Sequence, residues 1–128
     1  MIITKKNFKC EGVSWLTVLA SLEESHLINH GVKSSHIQST DVDCKTFNDL
    51  IRQYNFNKLD LLIIDTEGYD NILVKNFIED TNLRPIIIFE WIHMQKDEAK
   101  NTIELLEANN YKFFKINKDL ICIQNNYF

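Results

Sequence analysis

Glycine is scarce in this 128-residue chain: Gly12, Gly31 and Gly68 are the only three, and no two of them stand at G-x-G spacing. Loops that bring backbone N–H groups close to a ligand depend on glycine, because a side chain blocks the approach. Cysteine is equally thin. Cys10, Cys44 and Cys122 are odd in number, widely spaced and without a C-x-x-C pair, so they suggest neither a disulfide framework nor a cysteine zinc site and read as reduced thiols. No G-x-S-x-G occurs, which disfavours covalent hydrolase chemistry. No apolar run reaches the roughly 18 residues that a membrane-spanning helix needs. Met1-Ile-Ile-Thr-Lys-Lys6 carries its charges after the apolar residues, unlike a signal peptide. Basic residues are outnumbered by acidic ones, and the formal charge of −4 argues against nucleic-acid and anionic-membrane partners. A cytoplasmic location and a single domain over residues 1–128 are the expectations.

Against these deficits stands one dense stretch, Lys58 to Asp70, reading K-L-D-L-L-I-I-D-T-E-G-Y-D. Five of the six residues from Leu59 to Ile64 are apolar, which suits a central strand covered on both faces of a parallel sheet. The run ends on Asp65 and Glu67, and Gly68 turns the chain there. Open α/β sheets keep their chemistry at that end of a strand.

The remaining elements follow from periodicity and capping. Met1–Thr4 and Phe8–Cys10 read as short β-like pieces of a hairpin or irregular arm. Leu16, Leu19, Leu22 and Leu27 predict a helix over residues 14–30, with capping-box spacing in Ser21-Leu-Glu-Glu24 and Gly31 closing it. Ile37, Val42 and Cys44 are inward positions of an edge strand over 36–44. Thr46 caps a short helix carrying Phe47, Leu50, Ile51 and Tyr54, and Asp70 caps one carrying Ile72, Leu73, Phe77 and Ile78. Arg84–Glu90 is a second apolar strand, with Pro85 at its start where no ladder donor is lost. Lys96–Asn109 is an amphipathic helix with Ala99, Ile103 and Leu106 on one stripe. Tyr111–Ile116 and Leu120–Gln124 form an antiparallel hairpin around Asn117-Lys-Asp119. This order predicts an α/β fold with a mostly parallel sheet finished by a C-terminal antiparallel hairpin.

Asp65 and Glu67 are candidates for orienting a ligand or for taking a proton from a nucleophile; the alternative is a turn in which they accept backbone hydrogen bonds or cap the next helix. Glu90, at the corresponding end of the next strand, would complete an acidic cleft, and His93 follows three residues later. Paired acids at one opening also suit Mg²⁺ or Ca²⁺, although no calcium-loop pattern is present. His26 and His30, at i and i+4, share a helical face, but Leu27-Ile-Asn29 lacks the glutamate of H-E-x-x-H. They read as a partly exposed pair, and no metal ligand set is assigned. Cys44 and Cys122 read as core thiols, and Phe113, Phe114, Tyr127 and Phe128 as packing residues.

The block L-D-L-L-I-I-D-T-E-G-Y-D, followed some twenty residues later by R-P-I-I-I-F-E-W, resembles the FkbM family of S-adenosylmethionine-dependent methyltransferases. The family's usual stretch looks like D-L-L-K-I-D-V-E-G-x-E, followed by a helix, a strand ending in glutamate, a helix and a terminal hairpin. Thr46-Phe-Asn-Asp-Leu-Ile51 is similar to its T-L-D-D-L-I, and Leu19-Ala-Ser-Leu22 with His26 to its looser S-S-L-x-x-H region. The departures are Ile63 where the family commonly has lysine, Asp70 in place of a glutamate, and the missing glycine-rich turn.

The resemblance implies a partial Rossmann-like, class I methyltransferase-like sheet corresponding to the C-terminal half of such a domain. It implies S-adenosylmethionine as cofactor, with Asp65 and Gly68 as cofactor-binding residues, Asp65, Glu67 and Glu90 as catalytic residues, and His93 and Asp70 as substrate-binding residues. A small hydroxylated molecule or sugar is the implied substrate. With the glycine-rich half missing, a truncated O-methyltransferase domain, inactive as an isolated chain, is the first expectation. The alternative is a noncatalytic assembly module that pairs through the exposed edge of strand 59–64, with residues 36–44, a second copy or a partner chain on that edge.

Overall fold

The computed structural model describes the backbone of residues 3–10 and 20–127. Two compact units divide the chain, Met1–Lys45 with Thr66–Tyr69 and Thr46–Asp65 with Asp70–Phe128. No helix among the described residues is long and apolar enough to cross a membrane.

The first unit is built on strand β1 (Ile3–Cys10), flanked by β2 (Ala20–Ser21) and β3 (Ile37–Cys44), both antiparallel to it. The two β-like pieces expected at the start are one strand, paired with β3 from Ile3↔Cys44 to Cys10↔Ile37. Register places Lys6 opposite Asp41 in the middle of the ladder. β3 is an edge strand, as its pattern predicts, but its partner is β1 and not the strand after residue 59.

Helix α1 (Glu24–Asn29) is much shorter than the stripe over 14–30 suggests. Residues 11–19 of that stripe lie outside the described residues, and Ala20–Ser21 is strand. The expected capping box is not formed, because the Ser21 hydroxyl accepts from Glu23 N–H, two residues on, at 3.1 Å. The C-terminus is closed as predicted: Gly31 has φ +81, its N–H donates to Ile28 O at 2.9 Å, and Val32 N–H donates to Leu27 O at 3.1 Å. These two bonds make a Schellman motif around a left-handed glycine.

The second unit is a four-stranded sheet in the order β4-β5-β7-β6, formed by β4 (Leu61–Ile64), β5 (Ile86–Glu90), β6 (Tyr111–Ile116) and β7 (Asp119–Gln124). Only β4 and β5 are parallel; β5–β7 and β6–β7 are antiparallel, so the expected mostly parallel sheet is corrected to a mostly antiparallel one. The reason lies in the hairpin, which places its second strand rather than its first beside β5 and so contributes two antiparallel ladders. A two-residue turn with Asn117 at φ +53 joins β6 to β7.

Helices α2 (Phe47–Tyr54), α3 (Asp70–Asp80) and α4 (Lys96–Ala108) match the predicted segments closely. The core comprises Phe77, Phe89, Ile87, Leu106, Val74 and Cys122, all 0–1% exposed. Burying each large apolar side chain stabilises by roughly 1.5–3 kcal/mol. Phe47 meets Phe77 edge to face at 5.1 Å, which ties α2 to the core. Thr102 was not on the predicted stripe of α4; it is buried because its hydroxyl donates to Glu98 O at 2.8 Å. Tyr111 is buried with its hydroxyl donating to Pro85 O at 2.8 Å. Burial pushes the Cys122 thiol up to about 12, so this residue is an inert core group.

Strand β4 corrects the opening expectation. It occupies the sheet edge rather than the centre, and its burial alternates: Ile64 is 4% exposed, Leu61 45% and Ile63 64%. An apolar run of this length does not by itself distinguish one covered face from two.

Thr46 is the N-cap of α2, as its sequence position predicts, and the structure adds a capping box with Asp49. Asp49 N–H donates to Thr46 Oγ1 at 3.1 Å, and Thr46 N–H donates to Asp49 Oδ2 at 3.3 Å. Hydrogen bonding from the Thr46 side chain, then from its N–H, holds the Asp49 carboxyl below its ordinary 3.8. A folded-state value below the unfolded one stabilises above the unfolded value and is lost as pH falls through the folded one. We expect Thr46→Ala to lower the melting temperature at neutral pH, with the gap to the parent narrowing below about pH 4. A gap that stays constant from pH 7 to pH 2.5 contradicts this assignment.

Candidate functional site

In the second unit the acids collect at one end of the sheet. β4 and β5 run in register with Ile64 beside Phe89, so Asp65 stands one step on, beside Glu90. Glu90 is directly paired with Asp119 across β5–β7. Asp65, Glu90 and Asp119 therefore form a row across three strands, at the carboxyl end of the one parallel pair. Like charges opposite one another are unfavourable, and two basic groups relieve the row. His93 Nε2 lies 3.1 Å from Glu90 Oε2, and Lys118 Nζ lies 3.8 Å from Glu90 Oε1. The Glu90 side chain is 15% exposed and that of His93 26%, so their bond is shielded without being sealed. Trp91 N–H donates to Lys118 O at 3.1 Å, and Lys115 Nζ sits 4.2 Å from the Trp91 ring centroid. Those contacts fix the turn after β5 against the hairpin.

A hydrogen-bonded Glu–His pair is a device for moving protons. With Nε2–H donating to the carboxylate, the imidazole lone pair stands on Nδ1, where it can accept a proton from a hydroxyl.

Glu67 and Gly68 belong to the first unit. Glu67 has φ +52 and Gly68 φ +105, two successive left-handed residues. Holding a non-glycine residue in that region costs about 1–2 kcal/mol. Three contacts hold it: Ser21 Oγ donates to Glu67 O at 3.2 Å, Glu67 Oε2 lies 3.1 Å from His26 Nε2, and the His26 ring lies against Gly68. A Cβ built on Gly68 meets His26 Nδ1 at 3.1 Å. Glycine is required at this position both by its φ and by the ring.

The structure places Asp65 one register step beyond the Ile64–Phe89 pair, beside Glu90, and sets Glu90 against His93. Asp70 is 3% exposed and is the first residue of α3 rather than the residue before it, where the helix dipole favours a carboxylate. Sequence reasoning missed Asp119 and Lys118, which reach Glu90 only through the order of the hairpin strands. It also missed the bond between His26 and Glu67, 41 residues apart. The histidines stood out as an i, i+4 pair, but nothing in the sequence named their acidic neighbour.

The family model described as the methyltransferase FkbM domain matches residues 5–113 of the chain. No curated protein and no solved structure matches the chain.

Gly68→Ala is expected to destabilise the fold by about 1–2 kcal/mol, since alanine must adopt a left-handed φ and meet the His26 ring. Urea denaturation measures it. An unchanged midpoint contradicts the contact.

Proposed function

This chain belongs to the methyltransferase FkbM domain family, and on that premise we propose that its described residues supply the acceptor side of an O-methyl transfer. The observation that carries this reading is the Glu90–His93 pair, 3.1 Å apart, at the carboxyl end of β5 and one register step from Asp65. In this reading Glu90 orients the imidazole and balances the charge it gains, and His93 Nδ1 takes the proton of an acceptor hydroxyl. Asp65 accepts a hydrogen bond from a second hydroxyl on a small polyol or sugar. As the proton leaves, the acceptor oxygen becomes the nucleophile.

The family implies S-adenosylmethionine as methyl donor. The described residues do not fit that group: Gly68, the glycine nearest the acids in the chain, has its open side filled by His26, and Gly31 closes a helix. Calorimetry of this chain with S-adenosylmethionine is expected to show no binding at micromolar concentration. Micromolar binding would overturn that part of the reading. For the acceptor, backbone NMR titration with a panel of polyols and sugars is expected to move Asp65, Glu90 and His93, with the response lost in Glu90→Gln. Shifts confined to other parts of the chain would remove the acceptor site.

A second reading concerns assembly, and it rests on the edge position of β4. Leu61 and Ile63 share one face with Ile88, Ile121 and Phe114, and register runs Ile63–Ile88–Ile121–Phe114 across all four strands. Ile63 and Phe114 are 64% and 47% exposed. In this reading a second copy adds its own β4 antiparallel to this one about a two-fold axis, which satisfies both edges with the same residues. Sedimentation is expected to give a dimer for the parent chain and a monomer for Ile63→Lys. A parent chain that sediments as a monomer at 100-fold dilution and at full concentration alike removes this reading.

A further inference from the structure

We propose that His26, His30 and Glu67 form a binding site for a divalent transition-metal ion of the zinc class. Each residue offers one ligand atom, and these atoms lie within 4.8 Å of one another. The proposal rests on this geometry and stands apart from the methyl-transfer reading.

The separation of His26 Nε2 from Glu67 Oε2 is 3.1 Å, close to the edge of a ligand tetrahedron, roughly 3.3 Å when ligands sit about 2.0–2.1 Å from zinc. The two imidazole rings have centroids 4.4 Å apart at a tilt of 39°. His30 Nδ1 lies 3.0 Å from His26 O. As the donor in that bond, Nδ1 carries the hydrogen and the lone pair falls on Nε2. A backbone carbonyl that fixes the tautomer in this way is the usual outer support of a metal-bound histidine.

The backbone supplies a second, independent observation. Glu67 is a non-glycine residue at φ +52, and its carboxylate lies against the His26 imidazole. Strained backbone held in place by its surroundings clusters at ligand-binding and active sites. His26 is 9% exposed, whereas His30 is exposed and the Glu67 side chain is 35% exposed, so the cluster has a rigid inner ligand and an open approach for an ion.

Two imidazoles and one carboxylate select borderline metals over Mg²⁺ and Ca²⁺, which favour oxygen donors. Three protein ligands from this unit leave a coordination position for water or another donor, as in exchangeable zinc sites. Such an ion would join α1 to the turn that follows β4.

Isothermal titration of the full chain with zinc chloride is the test, with magnesium chloride as the hard-cation control. One equivalent of Zn²⁺ is expected at micromolar affinity or tighter, together with a zinc-dependent rise in melting temperature. His30→Ala and Glu67→Gln are each expected to weaken binding roughly tenfold or more, while His36→Ala leaves it unchanged. His26 is buried, and its loss can unfold the unit, so His30→Ala at the exposed helix end is the decisive variant. The site is ruled out if the parent chain fails to bind Zn²⁺, or if His30→Ala binds it with parental affinity and a native circular dichroism spectrum.

Discussion

Antiparallel addition of β7 to β5 is the constraint on which the second unit depends. It sets Cys122 opposite Ile87 in the core and carries Leu120 beside Phe89. It also brings Asp119 opposite Glu90 and Lys118 within reach of the same carboxylate. β6 then becomes the outer strand, and Tyr111 folds back so that its hydroxyl meets Pro85 at the start of β5. One pairing therefore builds the core, closes the sheet end and assembles the charged row. Had β6 paired with β5 instead, the sheet could have continued in parallel.

Much of this was legible where the physics is local. Thr46 ahead of an apolar stripe at helical spacing announces a helix start, and the cap forms. Gly31 after a leucine stripe announces a helix end, and the Schellman bonds form. The long helix over 96–108 and the hairpin were equally readable from period and turn residues. Non-local properties were not readable. Leu59 to Ile64 looks the same whether one face or two are covered, and whether the strand is central or at an edge. The helix over 14–30 gives way at its described end because Ala20 and Ser21 pair with Lys9 and Phe8 of β1.

The candidate site divides in the same manner. That Asp65 and Glu90 share a strand end follows from two apolar runs, each ending on an acid, and His93 was named from its proximity in sequence. Lys118, Asp119 and the bond between His26 and Glu67 depend on tertiary registers that no spacing encodes. The side chain that fills the space over Gly68 weighs against that glycine as part of a nucleotide cradle.

The shortage of glycine has a further meaning in the folded chain. Six described residues adopt left-handed backbone, and only Gly31 and Gly68 among them are glycine; Asn55, Asn110 and Asn117 take the same conformation at φ 53, 63 and 53. Asparagine tolerates this region because its short amide can bond locally, yet its unfolded backbone roams less than that of glycine. Each such turn surrenders less disorder on folding. The chain thus reverses direction with residues that keep its denatured ensemble narrow, and its rigidity is secured partly in the state where no contact is made.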